Sequence, residues 1–321
     1  MVTAALQYSA VAQAVVAGFA RKPKRLPSWL FYDETGDKIF QSIMRMPEYY
    51  LTGCEYEILQ MHKTALREHL VADGSPFNLV ELGAGDGFKT EILLHHLTDQ
   101  RVSFTFSPVD VSQSVLSQLV ERLDKSVPGL VIHPIHRKYH DALDFFAGDA
   151  LRKVILFMGA NIGNFTVEEA VSFTKSISAT MQQDDQLLIG FDLKKDPRLI
   201  QAAYDDPHGI TRDFNMNLLV RLNRELGAQF QLDQFRHYPY YDPESGMTKS
   251  YLVSLKAQDV YFEALEKHVH FDRWEVIHTE VSQKYDLEMI QQLADKSGLA
   301  VVEVFYDCKH YFCDVLLANS G

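Results

Sequence analysis

Cysteine is scarce in this chain: Cys54, Cys308 and Cys313 are the only three in 321 residues. Three thiols cannot all pair, and there is no CxxC and no dense His/Cys group of zinc spacing. A disulfide scaffold and a zinc ribbon are thereby excluded, and the cysteines read as reduced thiols in a reducing compartment. An excess of positive charge is also missing. Lys and Arg number 31 against 43 Asp and Glu, a net charge of −12. That balance argues against broad binding of a phosphate backbone, though not against a local basic patch. No apolar run reaches membrane length. The opening MVTAALQYSAVAQAVVAGFARKPKR is too short and too interrupted to span a bilayer. Its apolar part precedes its basic part, the reverse of a signal peptide, so it reads as an amphipathic helix followed by a basic turn. Repeats and low-complexity linkers are absent too. A soluble cytoplasmic protein is expected.

What is present is an ordinary folding composition, 46% hydrophobic and 23% charged. The length suits one large domain or two smaller ones. NLVELGAGDGFKTEILLHHL reads as a buried strand, a Gly-rich turn and a helix. FTFSPVDVSQSVLSQLVERL and RKVILFMGANIGNFTVEEAVSFTKSI repeat that pattern, and DQLLIGFDL adds a strand. Apolar strands alternating with helices predict an α/β fold, a parallel sheet covered by helices, from about Pro76 to Leu193. After Lys194 the alternation stops. AAYDDPHGITRDFNMNLLVRLNREL reads as a turn and a helix. His237–Tyr241 reads as an aromatic loop, and Lys249–Ala257 and Trp274–Tyr285 as strands. LEMIQQLADKSGL is a helix closed by Gly298, and AVVEVFYD and YFCDVLLAN form a strand pair.

The turn Glu81-Leu82-Gly83-Ala84-Gly85-Asp86-Gly87 is the first candidate site. Glycines let a backbone pass close to a ligand, and the helix that follows presents free N–H groups. The spacing is G-x-G-x-G, not the G-x-G-x-x-G of dinucleotide enzymes. Glu81 beside the glycines suits a ligand with a cationic group better than a pyrophosphate, and S-adenosylmethionine meets that description. Asp110, at the end of the next strand, is where a ribose-binding carboxylate is expected. A structural turn without a ligand, or a nicotinamide-dependent oxidoreductase, is the competing reading of the loop.

Several motifs occur in order: LPSWLFYDETGDKIF, MPEYYLTGCE, LVELGAGDGFKT, FMGANIGNF, AAYDDPHGITRDFN, NLLVRLNREL and TEVSQKY. With these the chain resembles the histidine-specific Nα-methyltransferases of ergothioneine biosynthesis, from about Leu26 to Leu316. The resemblance implies a Rossmann-like S-adenosylmethionine-dependent methyltransferase with a second, substrate-binding domain. The implied boundaries are 1–60 for the N-terminal part of the substrate domain, 195–286 for its inserted part, and 61–194 with 287–321 for the Rossmann-like domain. The implied reaction is three methyl transfers from S-adenosylmethionine to the α-amine of histidine, giving hercynine. No metal is implied, and the partner is a small amino acid rather than nucleic acid or membrane, bound by a monomer.

Residue by residue, the resemblance implies that Tyr32 is catalytic, close to amine and cofactor. Tyr49 contacts the imidazole, Asn164 and Tyr204 hold the substrate carboxylate, and Glu280 and Ser282 bond the imidazole. Gly83, Lys89, Asp110, Tyr139 and Gly159 bind the cofactor. Three positions depart from the family pattern. Lys138 precedes Tyr139 where an acid is usual, Gly53 replaces a common arginine, and Ser250 faces the imidazole where histidine-specific members carry methionine. Alternatives are an N-methyltransferase of the same fold acting on another amino acid or small amine, and a non-catalytic S-adenosylmethionine-binding protein. For individual residues, Tyr49 could be a packing aromatic, Asn164 a cap for the helix begun at Thr166, and Glu280 a solvated strand residue.

Overall fold

The computed structural model describes residues 9–71, 74–146, 148 and 151–320. The first eight residues of the expected N-terminal helix lie outside them. The chain begins with α1 (Ala10–Phe19), β1 (Lys24–Arg25), α2 (Glu34–Ile43) and α3 (Tyr50–Leu70). There follow β2 (Phe77–Leu82), α4 (Thr90–Asp99), β3 (Phe104–Asp110), α5 (Gln113–Ser126), β4 (Ile135–His136) and α6 (Tyr139–Phe146). Next come β5 (Arg152–Phe157), α7 (Val167–Ser178), β6 (Gln186–Asp192), α8 (Pro197–Tyr204) and α9 (Ile210–Leu226). The remainder is β7 (Phe235–Asp242), β8 (Met247–Ser254), β9 (Gln258–Phe262), β10 (Lys267–Phe271), β11 (Val276–Gln283), α10 (Leu287–Lys296), β12 (Leu299–Tyr306) and β13 (Phe312–Asn319). Two compact units result: 1–49 with 196–282, and 50–195 with 283–321.

The larger unit holds a seven-stranded sheet in the order β12-β13-β6-β5-β2-β3-β4. β2 to β6 run parallel, and β13 is antiparallel to both β12 and β6. β2, FNLVEL, is buried at every position, as a strand covered on both faces must be. Val80, Leu82, Ile155, Phe157 and Ile189 join one apolar cluster with Leu143 of α6, Phe173 and Ile177 of α7, and Ile290 and Leu293 of α10. Each such side chain contributes roughly 1.5–3 kcal/mol by leaving water. Local signals agree with these helices. Thr166 and Glu169 form a capping box at the start of α7. Gly298, at φ 72°, takes the left-handed conformation that ends α10, as its position predicted. The strand order reverses between β2 and β5, so the carboxyl ends of β2, β3 and β5 form the crevice where such sheets bind ligands.

The chain passes from one unit to the other after Tyr49, Lys195 and Ser282. Inside the larger unit, residues beside all three passages converge on Asp192, the buried last residue of β6. The Tyr50 hydroxyl lies 3.0 Å from both Asp192 oxygens, Lys284 Nζ lies 2.7 Å from Oδ2, and Lys195 Nζ pairs with Oδ1. Lys195 Nζ also donates to the Tyr50 hydroxyl at 2.9 Å.

The smaller unit has a four-stranded sheet, β1-β11-β8-β7, and the hairpin β9–β10. Leu218, Leu219 and Leu222 of α9 pack with Phe31, Leu252, Phe262 and Ile277. Three expectations differ from the structure. The stretch His237–Tyr241 is not a loop but strand β7: His237 and Tyr241 point inward, while Tyr238 and Tyr240 point outward. The stretch expected as a turn and one helix holds the end of α8 as well as α9, with Asp196 capping α8 ahead of Pro197. The division near residue 60 falls at Tyr49 instead, because α3 runs unbroken from Tyr50 and buries Cys54, Ile58, Leu59 and Leu66 within the larger unit.

Candidate active site

In the larger unit the Gly-rich turn leaves β2 with Gly83, Gly85 and Gly87 all at positive φ, between 55° and 76°. The Gly83 and Ala84 amides donate to the Val109 carbonyl at 2.8 and 3.0 Å. The Gly85 amide donates to Asp110 Oδ2 at 3.0 Å, and the Ser112 amide to Oδ1 at 2.9 Å. One carboxylate thus fixes both the glycine loop and the start of α5. Each oxygen keeps a second lone pair for a ligand hydroxyl. Burial pushes the Asp110 carboxyl up, against the lowering effect of these amides.

A side chain has no room at Gly83: a Cβ there would lie 2.7 Å from the Tyr139 hydroxyl and 3.1 Å from Asn161 Nδ2. Tyr139 is set by apolar packing, its ring edge-on to Phe157 at 5.4 Å and 5.6 Å from Phe173. Lys138 beside it is exposed. At Gly159, in the turn after β5, a Cβ would lie 3.4 Å from Lys89 Nζ and 3.8 Å from Asn161 Nδ2. Gly83 thus meets Tyr139, Gly159 meets Lys89, and Asp110 holds the loop. Asn161, near both glycines, was not singled out from the sequence, although FMGANIGNF contains it. Asn164 ends the short 3-10 helix Asn161–Asn164, and the cap of α7 is Thr166, so the capping role read as its alternative belongs elsewhere. Glu81 lies beneath the loop, accepting from Thr90 Oγ1 at 2.5 Å, and burial pushes its carboxyl up to about 8.

In the smaller unit, Tyr32 follows the 3-10 turn Ser28–Phe31. Its ring meets Phe40 and Phe214 edge-on at 5.6 and 5.7 Å, and Tyr49 meets the same Phe40 at 6.3 Å. Arg221 of α9 donates to the Leu30 and Tyr32 carbonyls at 2.9 and 3.2 Å, fixing the backbone that carries Tyr32. The buried Tyr204 hydroxyl donates to Ser282 Oγ at 2.7 Å. β8 and β11 are neighbours, and Thr279 Oγ1 of β11 lies 3.0 Å from the Ser250 carbonyl of β8. Thr279 Oγ1 donates to Asn215 Oδ1 of α9 at 2.9 Å, so this face packs on α9. Glu280, one residue on along β11, is half-buried.

The sequence matches, over residues 11–319, a family described as histidine-specific, S-adenosylmethionine-dependent methyltransferases. The chain belongs to this family. It is therefore a methyltransferase whose methyl donor is S-adenosylmethionine, with a Rossmann-like sheet. The histidine N-alpha-methyltransferase of Mycolicibacterium smegmatis is 36% identical over 285 residues, covering 89% of this chain and 87% of that protein. The same figures hold for the histidine N-alpha-methyltransferase of Mycobacterium tuberculosis. Ergothioneine biosynthesis protein 1 of Schizosaccharomyces pombe is 28% identical over 293 residues, covering 88% of this chain and 37% of that longer protein. The family's donor fits the larger unit, where the Asp110 carboxylate that holds the glycine loop and the start of α5 keeps lone pairs for a ribose hydroxyl. Among the described residues no helix is long and apolar enough to cross a membrane, and no His, Cys, Asp or Glu group could hold a metal.

Proposed function

We propose that this protein methylates the α-amine of L-histidine three times, giving the trimethylated betaine hercynine, and that it does so as a cytoplasmic monomer. The observation that carries this reading is the Tyr204–Ser282 hydrogen bond of 2.7 Å, with Glu280 on the same strand. A tyrosine and a serine hydroxyl so coupled can serve a carboxylate and a ring nitrogen, the two features that distinguish histidine from a simple amine.

Bound S-adenosylmethionine supplies an electrophilic methyl group on a sulfonium. Asp110 is assigned to the ribose hydroxyls, and Gly83, Lys89, Tyr139 and Gly159 to the rest of the donor. Histidine enters as an ammonium, so a proton leaves its amine before each transfer. Tyr32 is assigned to accept a hydrogen bond from an N–H of the amine in the first two transfers and so aim the lone pair; in the third, no N–H remains and its ring faces the dimethylamine. Its phenol carries no positive charge that would oppose the quaternary product, and aromatic faces favour such a cation. Holding amine and methyl in line removes much of the entropic barrier. Tyr49, Glu280 and Ser282 are assigned to the imidazole, and Asn164 and Tyr204 to the carboxylate.

The test is a mass-spectrometric assay of purified protein with S-adenosylmethionine and each common amino acid in turn. Trimethylated histidine is the expected product. Methylation of a different amino acid, with none of histidine, overturns the substrate; an end product with one or two methyl groups overturns the count.

A further inference from the structure

Lys89 and Gly159 reach the donor site from different parts of the chain, and one buried side chain holds both. Glu55, on the second turn of α3, is 0% exposed. Its Oε1 accepts from the Gly159 amide at 2.7 Å, and its Oε2 pairs with Lys89 Nζ. Room for this carboxylate comes from Gly190 of β6, where a Cβ would collide with Oε1. Asp314 of β13, also 0% exposed, stands close by. Burial, then the neighbouring Glu55, pushes the Asp314 carboxyl well above the usual range and favours its neutral form. Burial alone would lower Lys89, but Glu55 more than offsets it and the ammonium is strengthened. With Asp314 neutral, Glu55 and Lys89 are left as a matched ion pair, the arrangement a buried charge requires.

We propose that Glu55 is a positioning residue for methyl transfer: it sets the spacing between the Gly-rich loop and the turn after β5, and through them the seat of the methyl donor. This rests on the reading that Lys89 and Gly159 border that seat. Glu55 acts through both of them: one oxygen fixes a backbone amide and the other fixes the end of a flexible side chain. Carboxylate length matters, because a single group must span both partners.

The test compares Glu55→Gln, Glu55→Asp, Lys89→Gln and Asp110→Ala in the whole protein. Calorimetry reads S-adenosylmethionine affinity, and steady-state assays read the KM for histidine at saturating donor. Glu55→Gln keeps the acceptor for Gly159 but loses the ion pair. Its donor Kd is expected to rise about tenfold, as for loss of a charged hydrogen bond, with the histidine KM within about twofold. Glu55→Asp restores the charge and recovers part of the affinity. Combining Glu55→Gln with Lys89→Gln is expected to cost no more than the worse single change, because both remove one link. Unchanged donor affinity in a folded Glu55→Gln protein, equal losses for donor and histidine, or additive losses in the double variant would each overturn the proposal. If Glu55→Gln does not fold, Glu55→Asp decides, with wild-type donor affinity as the overturning result. Asp110→Ala keeps the two readings apart. If it leaves donor affinity unchanged, the donor site itself is misassigned; if it alone weakens the donor, only the role of Glu55 falls.

Discussion

The two units hold their candidate binding groups by different means. In the larger one the polar contacts are made largely by backbone. The amides of Gly83 and Ala84 bind a carbonyl, and those of Gly85 and Gly159 bind carboxylates. In the smaller one the contacts are made by side chains: the Tyr204 and Ser282 hydroxyls bond each other, and the Tyr32 ring packs edge-on against Phe40 and Phe214. A backbone contact depends on the path of the chain, which many sequences share. A side-chain contact depends on one residue at one position. The first arrangement suits a donor common to a family, and the second suits an acceptor that can be exchanged by few substitutions.

Four measurements test that contrast, from the largest expected effect to the smallest. Asp110→Ala removes two amide acceptors and the assigned ribose acceptor together. Calorimetry should show S-adenosylmethionine affinity down about 100-fold, at 1.5–3 kcal/mol for each charged hydrogen bond partly offset by water. Histidine KM at saturating donor should stay within about twofold. Glu280→Ala should do the reverse, raising the histidine KM about 10- to 30-fold while calorimetric donor affinity holds. Equal losses from either variant would erase the distinction between the units. Tyr204→Phe deletes one neutral hydroxyl bonded to Ser282. Its kcat/KM for histidine should fall about fivefold, the worth of one ordinary hydrogen bond.

The smallest effect concerns stability. Glu81 is pushed up by burial to about 8, whereas its ordinary value is 4.5. Between those values the folded chain holds a proton that the unfolded chain has released, so stability falls as pH rises through that window. Thermal melting should show a midpoint a few degrees lower at pH 8 than at pH 6, and Glu81→Gln should flatten that slope. A wild-type midpoint that rises over the same interval would remove Glu81 as its cause.

Much of the larger unit was legible because its signals are local. Buried strands read as continuous apolar runs, Gly83 to Gly87 mark a turn, and Gly298 ends a helix where its spacing says it should. Strand β7 was hidden because Tyr238 and Tyr240 put aromatic residues on the outward face, so FRHYPYYD shows no two-residue alternation of apolar and polar groups. Pro239 within it also argued for a loop, yet β7 lies at the sheet's edge, where proline is tolerated. The resemblance gives roles to Lys89 and Gly159 but none to Glu55, although MPEYYLTGCE ends on it and it reaches them across 34 and 104 residues of chain. No periodicity carries a contact of that kind.

The gathering of Tyr50, Lys195 and Lys284 on Asp192 bears on how such a chain can change over time. Every passage of the backbone out of the larger unit lies beside one carboxylate, so the chain that departs after Lys195 returns close to where it left. Segments joined to a sheet at a single such knot can lengthen, shrink or be replaced without shifting any strand's register. If the larger unit seats the methyl donor as proposed, its sheet can stay constant while the segment that leaves it is rewritten, because Asp192 and its partners hold the ends of the sheet from within that unit.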